Sequence, residues 1–148
     1  MKMPITKFRN NYFFLSNFYP CQLRIDGIIY LTSEHLYQAS KTRNRNEKIL
    51  VASADTPGEA KKLGHKVKQF DNFDFVKLDI MSAIIRLKFY GNEGLMKKLV
   101  ETGNEQLIEG NCWGDTYWGC VLRNGVWVGE NNLGKILMST RNELKLLY

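Results

Sequence analysis

Residues 71–92, which read DNFDFVKLDIMSAIIRLKFYGN, constrain the fold of this chain more than any other stretch. Their apolar side chains recur at mainly helical spacing, and Gly91 is a typical signal for the end of a helix. The pattern therefore predicts one long helix that stops at Gly91. A shorter helix is predicted to follow over residues 93–102.

Two dipeptides predict β-hairpins. Asp26-Gly27 lies between two apolar-rich runs in residues 22–31, and Asn124-Gly125 separates residues 119–122 from residues 126–128. Asp-Gly and Asn-Gly favour two-residue turns because both of their positions accept a positive φ. A further short strand is predicted over residues 107–109.

Helix start signals occur near the middle and the end of the chain. Thr56, Pro57 and Glu59 combine an N-cap, a proline at the first helical position and the glutamate of a capping box. Asn131 or Asn132 is predicted to cap a last helix with one apolar side. The fold class that we expect is α+β: a single domain, mainly helical with four or five helices, and short, mostly antiparallel strands.

Composition places the chain among ordinary globular proteins. Hydrophobic residues make up 44% and charged residues 24% of the 148 residues, and no apolar run has the length of a signal peptide core or a membrane span. We expect a cytosolic protein with no membrane partner. Cys21, Cys112 and Cys120 match no common zinc-ligand spacing, and His35 and His65 are the only histidines, so no metal site is expected. The sequence has no Walker-type loop, GxGxxG or CxxC pair, which argues against the common nucleotide-hydrolysing and redox folds, and no cofactor is expected.

The net charge of +6 favours contact with an anionic molecule, such as nucleic acid, a nucleotide or a phosphorylated metabolite. The signal is diffuse, because the chain has no dense block of basic residues. The nearest approach to one is the run Lys41, Arg43, Arg45 and Lys48. Nothing in the sequence indicates the oligomeric state.

Residues 32–41, TSEHLYQASK, look like the start of a helix, because Thr32 and Ser33 are both good N-caps. On helical geometry alone, the polar side of this helix is expected to face solvent rather than to form the wall of a site. An aromatic residue in its middle is unusual for such a surface. The residues that share this side are Glu34, Tyr37, Gln38 and Lys41.

Two further segments combine polar and aromatic residues. In FFLSNFYP, residues 13–20, a loop anchored by its aromatic rings with Asn17 in a turn explains the pattern by itself. In CWGDTYWG, residues 112–119, Asp115 lies between Trp113 and Trp118. Two interpretations are open there: a carboxylate beside rings that stack on a heterocycle, or a loop whose tryptophans anchor the core while Asp115 caps a turn.

Taken together, the segments FLSNFYP, TSEHLYQASK, TPGEAKKLG, WGDTYWG and GENNLGKILMSTR resemble the successive motifs of the YbiA-like family, also called the NADAR superfamily. The similarity runs in order from residue 13 to residue 141. It implies the YbiA-like fold and an N-glycosidase that cleaves the bond between a ribose phosphate and a nitrogen heterocycle. Members of the family act on early intermediates of riboflavin biosynthesis, and others remove ADP-ribose from guanine in nucleic acid.

The resemblance also implies which residues act. The acidic residues of two family motifs fall here on Glu34 and Asp115, and the lysine falls on Lys41, so these three are the expected catalytic residues. One departure is that Phe73 and Phe75 stand where some relatives have tryptophan before the long helix. The expected substrate-binding residues are Asn17, Phe18, Tyr37, Gln38, Phe75, Arg86, Trp113, Trp118 and Asn132.

The chemistry of these residue types fits that activity. Breaking a ribosyl C–N bond builds positive charge on the sugar, which one carboxylate can stabilise while a second group protonates the departing base. Which of Glu34 and Asp115 is the acid stays open. Lys41, with Arg86, could hold phosphate, or Lys41 could attack the aldehyde of the opened sugar as an amine. Two alternatives also stay open: a non-catalytic module that binds ADP-ribose or nucleic acid, and a degenerate family member.

Overall fold

The computed structural model describes residues 3–147, and within them helices outweigh strands, as predicted. A 3-10 helix, Asn10–Leu15, comes first along the chain. The strands are β1 (Pro20–Ile25), β2 (Ile28–Thr32), β3 (Gly110–Asn111), β4 (Cys120–Arg123) and β5 (Val126–Val128). The α-helices are α1 (Ser33–Ala39), α2 (Arg45–Ala52), α3 (Pro57–Gly64), α4 (Phe73–Tyr90), α5 (Glu93–Glu101) and α6 (Asn132–Lys145).

Two compact units make up the described chain: the hairpin unit, Asn17–Lys88, and the terminal unit, which combines the chain up to Ser16 with the chain from Phe89 onward. The α+β class with mostly antiparallel strands is confirmed, because β1–β2 and β4–β5 are antiparallel and only β3–β4 is parallel. That the whole chain is a single domain stays a prediction. None of the helices in residues 3–147 has the length and apolar content that crossing a membrane requires.

The hairpin unit begins with the predicted β-hairpin. Leu23 pairs with Tyr30, and the turn between the strands has φ values of 51° at Asp26 and 79° at Gly27. Both positions need a positive φ, which is why an Asp-Gly pair marks this turn. Helix α1 follows β2 without a loop and packs against β2, α2 and α3.

The helix caps of the hairpin unit are largely those that the sequence predicts. The Thr56 side chain accepts a hydrogen bond from the Glu59 backbone N–H at 3.1 Å. The Glu59 carboxylate reaches the backbone N–H of Asp55, one residue before the one that a capping box uses. Helix α2, which was not predicted, starts at Asn44, whose side chain accepts from the Glu47 N–H.

The terminal unit contains the second predicted hairpin, β4–β5, with φ values of 51° at Asn124 and 76° at Gly125. The strand predicted over residues 107–109 is wrong in its position. Leu107 makes only an isolated bridge with Ile5, and the strand that pairs with β4 is β3, a few residues later. Helix α5 packs against α6 in this unit.

Neither candidate for the cap of α6 caps it with its side chain. Asn132 is the first helical residue, and Asn131 takes the N-cap position in a left-handed conformation with φ of 53°. The Asn131 amide is used elsewhere, because it accepts from the Glu109 N–H at 3.0 Å and donates to the Leu107 carbonyl at 2.9 Å. The asparagine therefore ties the helix start to an earlier segment of the chain instead of closing the helix.

Candidate active site

Helix α1 is fixed at its first turn by Thr32 and His35. The Thr32 hydroxyl accepts from the His35 backbone N–H at 3.2 Å and lies 2.7 Å from His35 Nδ1, while Nε2 lies 2.9 Å from the Ala54 carbonyl oxygen. Because a carbonyl can only accept, Nε2 carries a proton and donates it to the Ala54 oxygen. The fully buried His35 is thus a structural residue that joins α1 to the chain after α2.

Asn17 holds the same turn from the other side. Its backbone carbonyl accepts from the Glu34 N–H at 3.0 Å, and its side-chain oxygen accepts from the Ser33 hydroxyl at 2.9 Å. The amide nitrogen of Asn17 donates to the sulfur of Met81 at 3.5 Å. Asn17 therefore sets the position of Glu34. A direct contact of Asn17 with substrate stays a prediction.

The polar side of α1 is buried, so the expectation of a solvent-exposed surface from helical geometry alone is wrong. Glu34 is 8%, Tyr37 is 6% and Gln38 is 3% exposed. Every residue of α1 is buried, because β2, α2 and α3 all pack against this short helix. A buried carboxyl and a buried amide on one helix need partners from the protein or from a ligand.

Glu34 is the buried acid of this unit. Burial raises the pKa of its carboxyl, and a hydrogen bond from the Gln38 side chain and the positive charges of Lys61 and Lys41 oppose that rise. The Gln38 Nε2 donates to Glu34 Oε1 at 2.9 Å. The result is a carboxyl that keeps its proton to a higher pH than a free glutamate, as a general acid requires.

Gln38 has space for its amide only because residue 64 is a glycine. A Cβ added to Gly64 would lie 2.8 Å from Gln38 Cδ and 2.9 Å from Gln38 Cβ, and it would overlap Gln38 Oε1. That oxygen is buried and has no hydrogen-bond partner within residues 3–147. Gly64 at the end of α3 thus leaves the Gln38 side chain where it can hold Glu34.

Lys41 lies two residues beyond the end of α1 and is half-buried. Its ammonium nitrogen is 5.7 Å from the centre of the Tyr37 ring. Burial lowers the pKa of Lys41, the charge of Glu34 opposes this, and Lys61 and Lys77 add to the lowering. Its amine therefore loses its proton more readily than that of a free lysine, which suits a nucleophile as well as an anion ligand.

The remaining residues predicted in the hairpin unit differ in their surroundings. Tyr37 packs on Phe73 with ring centres 5.7 Å apart. Phe75 is 91% exposed and Phe18 is 38% exposed, so burial lends no support to a stacking role for either, and both roles stay predictions. The Arg86 guanidinium donates to the Ser82 hydroxyl on its own helix.

Asp115 belongs to the terminal unit and sits in a tight loop. Its Oδ1 accepts from the backbone N–H groups of Tyr117 at 3.0 Å and Trp118 at 2.9 Å. Its Oδ2 has no hydrogen-bond partner in the part of the chain that the structure describes. The carboxylate caps a turn with one oxygen, and its second oxygen can meet a water or a sugar.

Asp115 is flanked by two tryptophans with different exposures. Trp113 is 58% exposed, so it does not anchor the core, whereas Trp118 is half-buried with the Tyr117 ring edge-on at 4.8 Å. The predicted residue Asn132 donates through its side chain to the Tyr117 carbonyl at 2.9 Å. Asn132 therefore supports the Asp115 loop, and substrate contacts of these residues stay predictions.

Sequence reasoning missed the residue that shapes this loop, Asn111. Its side chain accepts from the Asp115 N–H at 3.0 Å and donates to the Asp115 carbonyl at 2.8 Å and to the Cys120 carbonyl at 3.3 Å. A lone asparagine before an aromatic loop carries no periodic signal. Only its place between Gly110 and the Asp115 turn could have drawn attention to it.

Each unit thus brings together part of the predicted site. In the hairpin unit, contacts link Asn17, Glu34 and Gln38, and Lys41 lies over Tyr37. In the terminal unit, the Asp115 carboxylate accepts a hydrogen bond from the Trp118 N–H, and Asn132 donates to the carbonyl of Tyr117, which lies between Asp115 and Trp118 in the sequence. That Glu34 and Asp115 act on one substrate stays a prediction.

Comparison with known proteins assigns these features to one family. The NADAR domain model matches residues 6–145. An N-glycosidase of Nostoc punctiforme is 36% identical over 137 residues, 89% of this chain and 85% of that protein. The N-glycosidase YbiA of Escherichia coli is 30% identical over 133 residues, 88% of this chain and 81% of YbiA.

A longer relative and a solved structure agree with this result. A riboflavin biosynthesis protein of Vibrio vulnificus is 34% identical over 149 residues, which is 98% of this chain but 40% of that protein. The chain thus spans less than half the length of the Vibrio protein. The NMR structure of E. coli YbiA matches with a TM-score of 0.82 and 29% identity, covering 99% of this chain and 88% of that one. The predicted YbiA-like fold is confirmed.

Proposed function

The chain belongs to the NADAR family, and we propose that it hydrolyses the ribosyl C–N bond of a phosphorylated ribosyl heterocycle with Glu34, Asp115 and Lys41. The N-glycosidase role predicted from the sequence is confirmed by relatives that carry this name along most of their length. These relatives do not favour the non-catalytic alternative. One family model that matches residues 6–145 supports our further proposal of a single domain.

The observation that carries the assignment of roles is the buried, hydrogen-bonded carboxyl of Glu34. Since burial raises its pKa, Glu34 is the group suited to give a proton to the departing nitrogen of the heterocycle. The second carboxylate oxygen of Asp115, Oδ2, suits the other task, which is to stabilise positive charge on the sugar or to take a proton from the attacking water. Water then supplies the hydroxyl at the anomeric carbon, and the heterocycle leaves with the proton from Glu34.

Variants of the two carboxyl residues test this assignment of roles to Glu34 and Asp115. Glu34→Gln and Asp115→Asn should each reduce kcat by about 100-fold or more, because each removes a proton transfer or a charge that the transition state needs. Circular dichroism and thermal unfolding should show that both variants remain folded. Full turnover by both folded variants on a substrate that the wild-type protein cleaves would refute the roles.

Lys41 has two possible tasks that one experiment separates. As an ammonium it would hold phosphate. As an amine it would attack C1, the aldehyde-level carbon of the opened sugar, which is then doubly bonded to the nitrogen of the heterocycle; the heterocycle leaves with a proton, Lys41 keeps a C=N bond to C1, and water later hydrolyses that bond. The lowered pKa of Lys41 favours this second task. Borohydride added during turnover should then leave a stable lysyl adduct in wild-type protein and none in Lys41→Arg. Activity retained by Lys41→Arg would assign Lys41 to the phosphate.

Two classes of natural substrate are compatible with these residues, and each has its own support. An early intermediate of riboflavin biosynthesis is supported by the name of the Vibrio relative. ADP-ribosyl-guanine in nucleic acid is supported by the net charge of +6. Purified protein offered both, with the released base detected by mass spectrometry, should cleave one in strong preference, and release of neither base would refute the proposal.

We also propose that the reaction needs no metal ion and takes place in the cytosol. The residue types of the candidate site support the first proposal, because two carboxyls and a lysine suffice for the proton transfers and the charge stabilisation described above. Cell fractionation with an epitope tag tests the second, and recovery of the protein from the membrane fraction would contradict it.

A further inference from the structure

A cavity of about 470 Å³ lies next to the chain segment that follows Lys41, and Thr42 is the first residue that lines it. Its size lies in the range of pockets that bind small molecules, about 300–1,000 Å³. The walls come from two short segments of the hairpin unit, residues 42–47 and residues 68–72. None of the roles described above uses the side chains that line it.

The two walls are tied to each other by hydrogen bonds. The Phe70 N–H donates to the Lys41 carbonyl at 2.9 Å, and the Lys68 N–H donates to Glu47 Oε2 at 3.1 Å. The Thr42 hydroxyl donates to Glu47 Oε1 at 2.6 Å. The cavity is therefore preformed, and Glu47 has both oxygens engaged in holding it open.

One wall presents a guanidinium stacked on an aromatic ring. The Arg43 guanidinium carbon lies 4.5 Å from the centre of the Phe70 ring, which holds the planar group in place. Phe70 in turn packs edge-on against Phe73 at 5.7 Å, and Phe73 packs on Tyr37 of α1 at 5.7 Å. A continuous row of rings thus leads from the candidate catalytic helix to the cavity.

The charged groups of the cavity complete a set that suits a nucleotide. Arg43 and Lys68 are exposed cations, and Asp71 is an exposed carboxylate. An exposed guanidinium plane can stack on a nucleobase, a lysine can hold a phosphate, and a carboxylate can accept from ribose hydroxyls. Glu47 also lines the cavity, and its two oxygens are occupied by the Thr42 hydroxyl and the Lys68 backbone N–H, so neither makes a direct ion pair with the two cations.

We propose that this cavity is a binding site for a nucleotide, with the base against the Arg43 guanidinium and the phosphate at Lys68. The ligand is either the nucleotide portion of a substrate molecule or a nucleotide within a single strand of nucleic acid. The proposal rests on the proposed function only in taking the bound nucleotide as part of the substrate. Binding itself is measured without turnover, so the two can fail separately.

The binding experiment compares AMP with a five-nucleotide single strand on the wild-type protein, by calorimetry and by NMR shifts of residues 42–47 and 68–72. Arg43→Ala should weaken binding on the order of tenfold, since it removes the stacking plane and a cation. Arg43→Lys keeps the charge but not the stacking plane, so its affinity should lie between those of Arg43→Ala and the wild type. Lys66→Ala is the matched control, because Lys66 is an exposed lysine of the same loop outside the cavity, and it should bind as the wild type does.

Each outcome either identifies where the bound nucleotide comes from or shows that the cavity is not a nucleotide site. Tighter binding of AMP assigns the cavity to a nucleotide carried by the substrate, and tighter, strongly salt-dependent binding of the strand assigns it to nucleic acid. In the first case Arg43→Ala should raise KM for the nucleotide-bearing substrate and leave kcat unchanged. No shift of these residues with either ligand, or equal affinity of Arg43→Ala and the wild type, would overturn the proposal.

Discussion

Replacing Gly64 with alanine should separate the positioning of Glu34 from the stability of the fold. The new methyl group would overlap Gln38 Oε1 and lie 2.8 Å from Gln38 Cδ, so the Gln38 side chain must move. The hydrogen bond at 2.9 Å from Gln38 to Glu34 is then lost or lengthened. This hydrogen bond fixes the position of the Glu34 carboxyl beside Gln38, one turn further along α1.

The size of the effect follows from the contacts. Alanine in place of glycine favours a helix by about 1 kcal/mol, and overpacking costs about 1–3 kcal/mol, so the free energy of unfolding should change by no more than about 2 kcal/mol. Loss of a hydrogen bond that orients the acid removes about 1–3 kcal/mol from transition-state stabilisation. The rate constant kcat should therefore fall by about 10- to 100-fold while the protein remains folded.

The pH profile of kcat distinguishes this effect from general damage. The Gln38 hydrogen bond lowers the pKa of Glu34, so its loss should raise that pKa further. If Glu34 acts as the acid, the alkaline limb of the profile moves to higher pH in Gly64→Ala. Gly58→Ala, in the same helix, is the matched control, because its added Cβ would meet only Thr56 Oγ1, at 3.9 Å.

A double-mutant cycle tests whether Gly64 acts through Gln38. Gly64→Ala introduced into Gln38→Gly should have little further effect on kcat, because Gln38 Oε1, Cδ and Cβ, the three atoms that the new methyl group approaches, are then all absent. Additive losses would show that the two positions act independently. Unchanged kcat and an unchanged alkaline limb in Gly64→Ala, as in Gly58→Ala, would refute the reasoning.

Three further changes have expected outcomes. Burial lowers the pKa of Lys88 from 10.5 to about 7, close to Cys21 and the Tyr19 ring, so the unfolded chain binds this proton more tightly. Stability should fall as the pH drops from about 10.5 to 7, by up to ~5 kcal/mol at 1.36 kcal/mol per pKa unit, and Lys88→Met should remove that slope in denaturant titrations; an unchanged slope would contradict it. Asn111→Ala should lower the free energy of unfolding by about 2–3 kcal/mol and remove most of kcat, and Asn111→Asp should not rescue it, because the carboxylate accepts from the Asp115 N–H but faces the Asp115 and Cys120 carbonyls to which the amide donates. Dialysis against EDTA should leave turnover unchanged, and activity lost to EDTA and restored by a divalent cation would contradict a metal-independent reaction.

Much of the fold could be predicted because its signals are local. Asp26-Gly27 and Asn124-Gly125 both form two-residue turns with positive φ at each position, a backbone geometry that those residue types favour by themselves. The caps at Thr32 and Thr56 are likewise decided within three residues of the chain. Such features need no information from distant parts of the sequence.

The features that escaped prediction depend on distant partners. The polar side of α1 is buried because β2, α2 and α3 surround the helix, and a helix that is buried all round shows no contrast between its faces. Asn131 looks like a helix cap, yet its amide bonds to the Leu107 carbonyl and the Glu109 N–H, more than twenty positions away along the chain. No local pattern reveals such a bond.

The two candidate carboxyls differ in what supports them, and this difference predicts how damage will appear. Glu34 sits on a buried helix, so changes around it alter its pKa and should shift the pH profile of kcat. Asp115 is fixed by hydrogen bonds to a loop backbone that Asn111 and Asn132 hold. Changes at those two asparagines should move Asp115 and lower kcat while leaving the alkaline limb, which Glu34 sets, at its wild-type pH. A variant's pH profile thus indicates which of the two carboxyls it has disturbed.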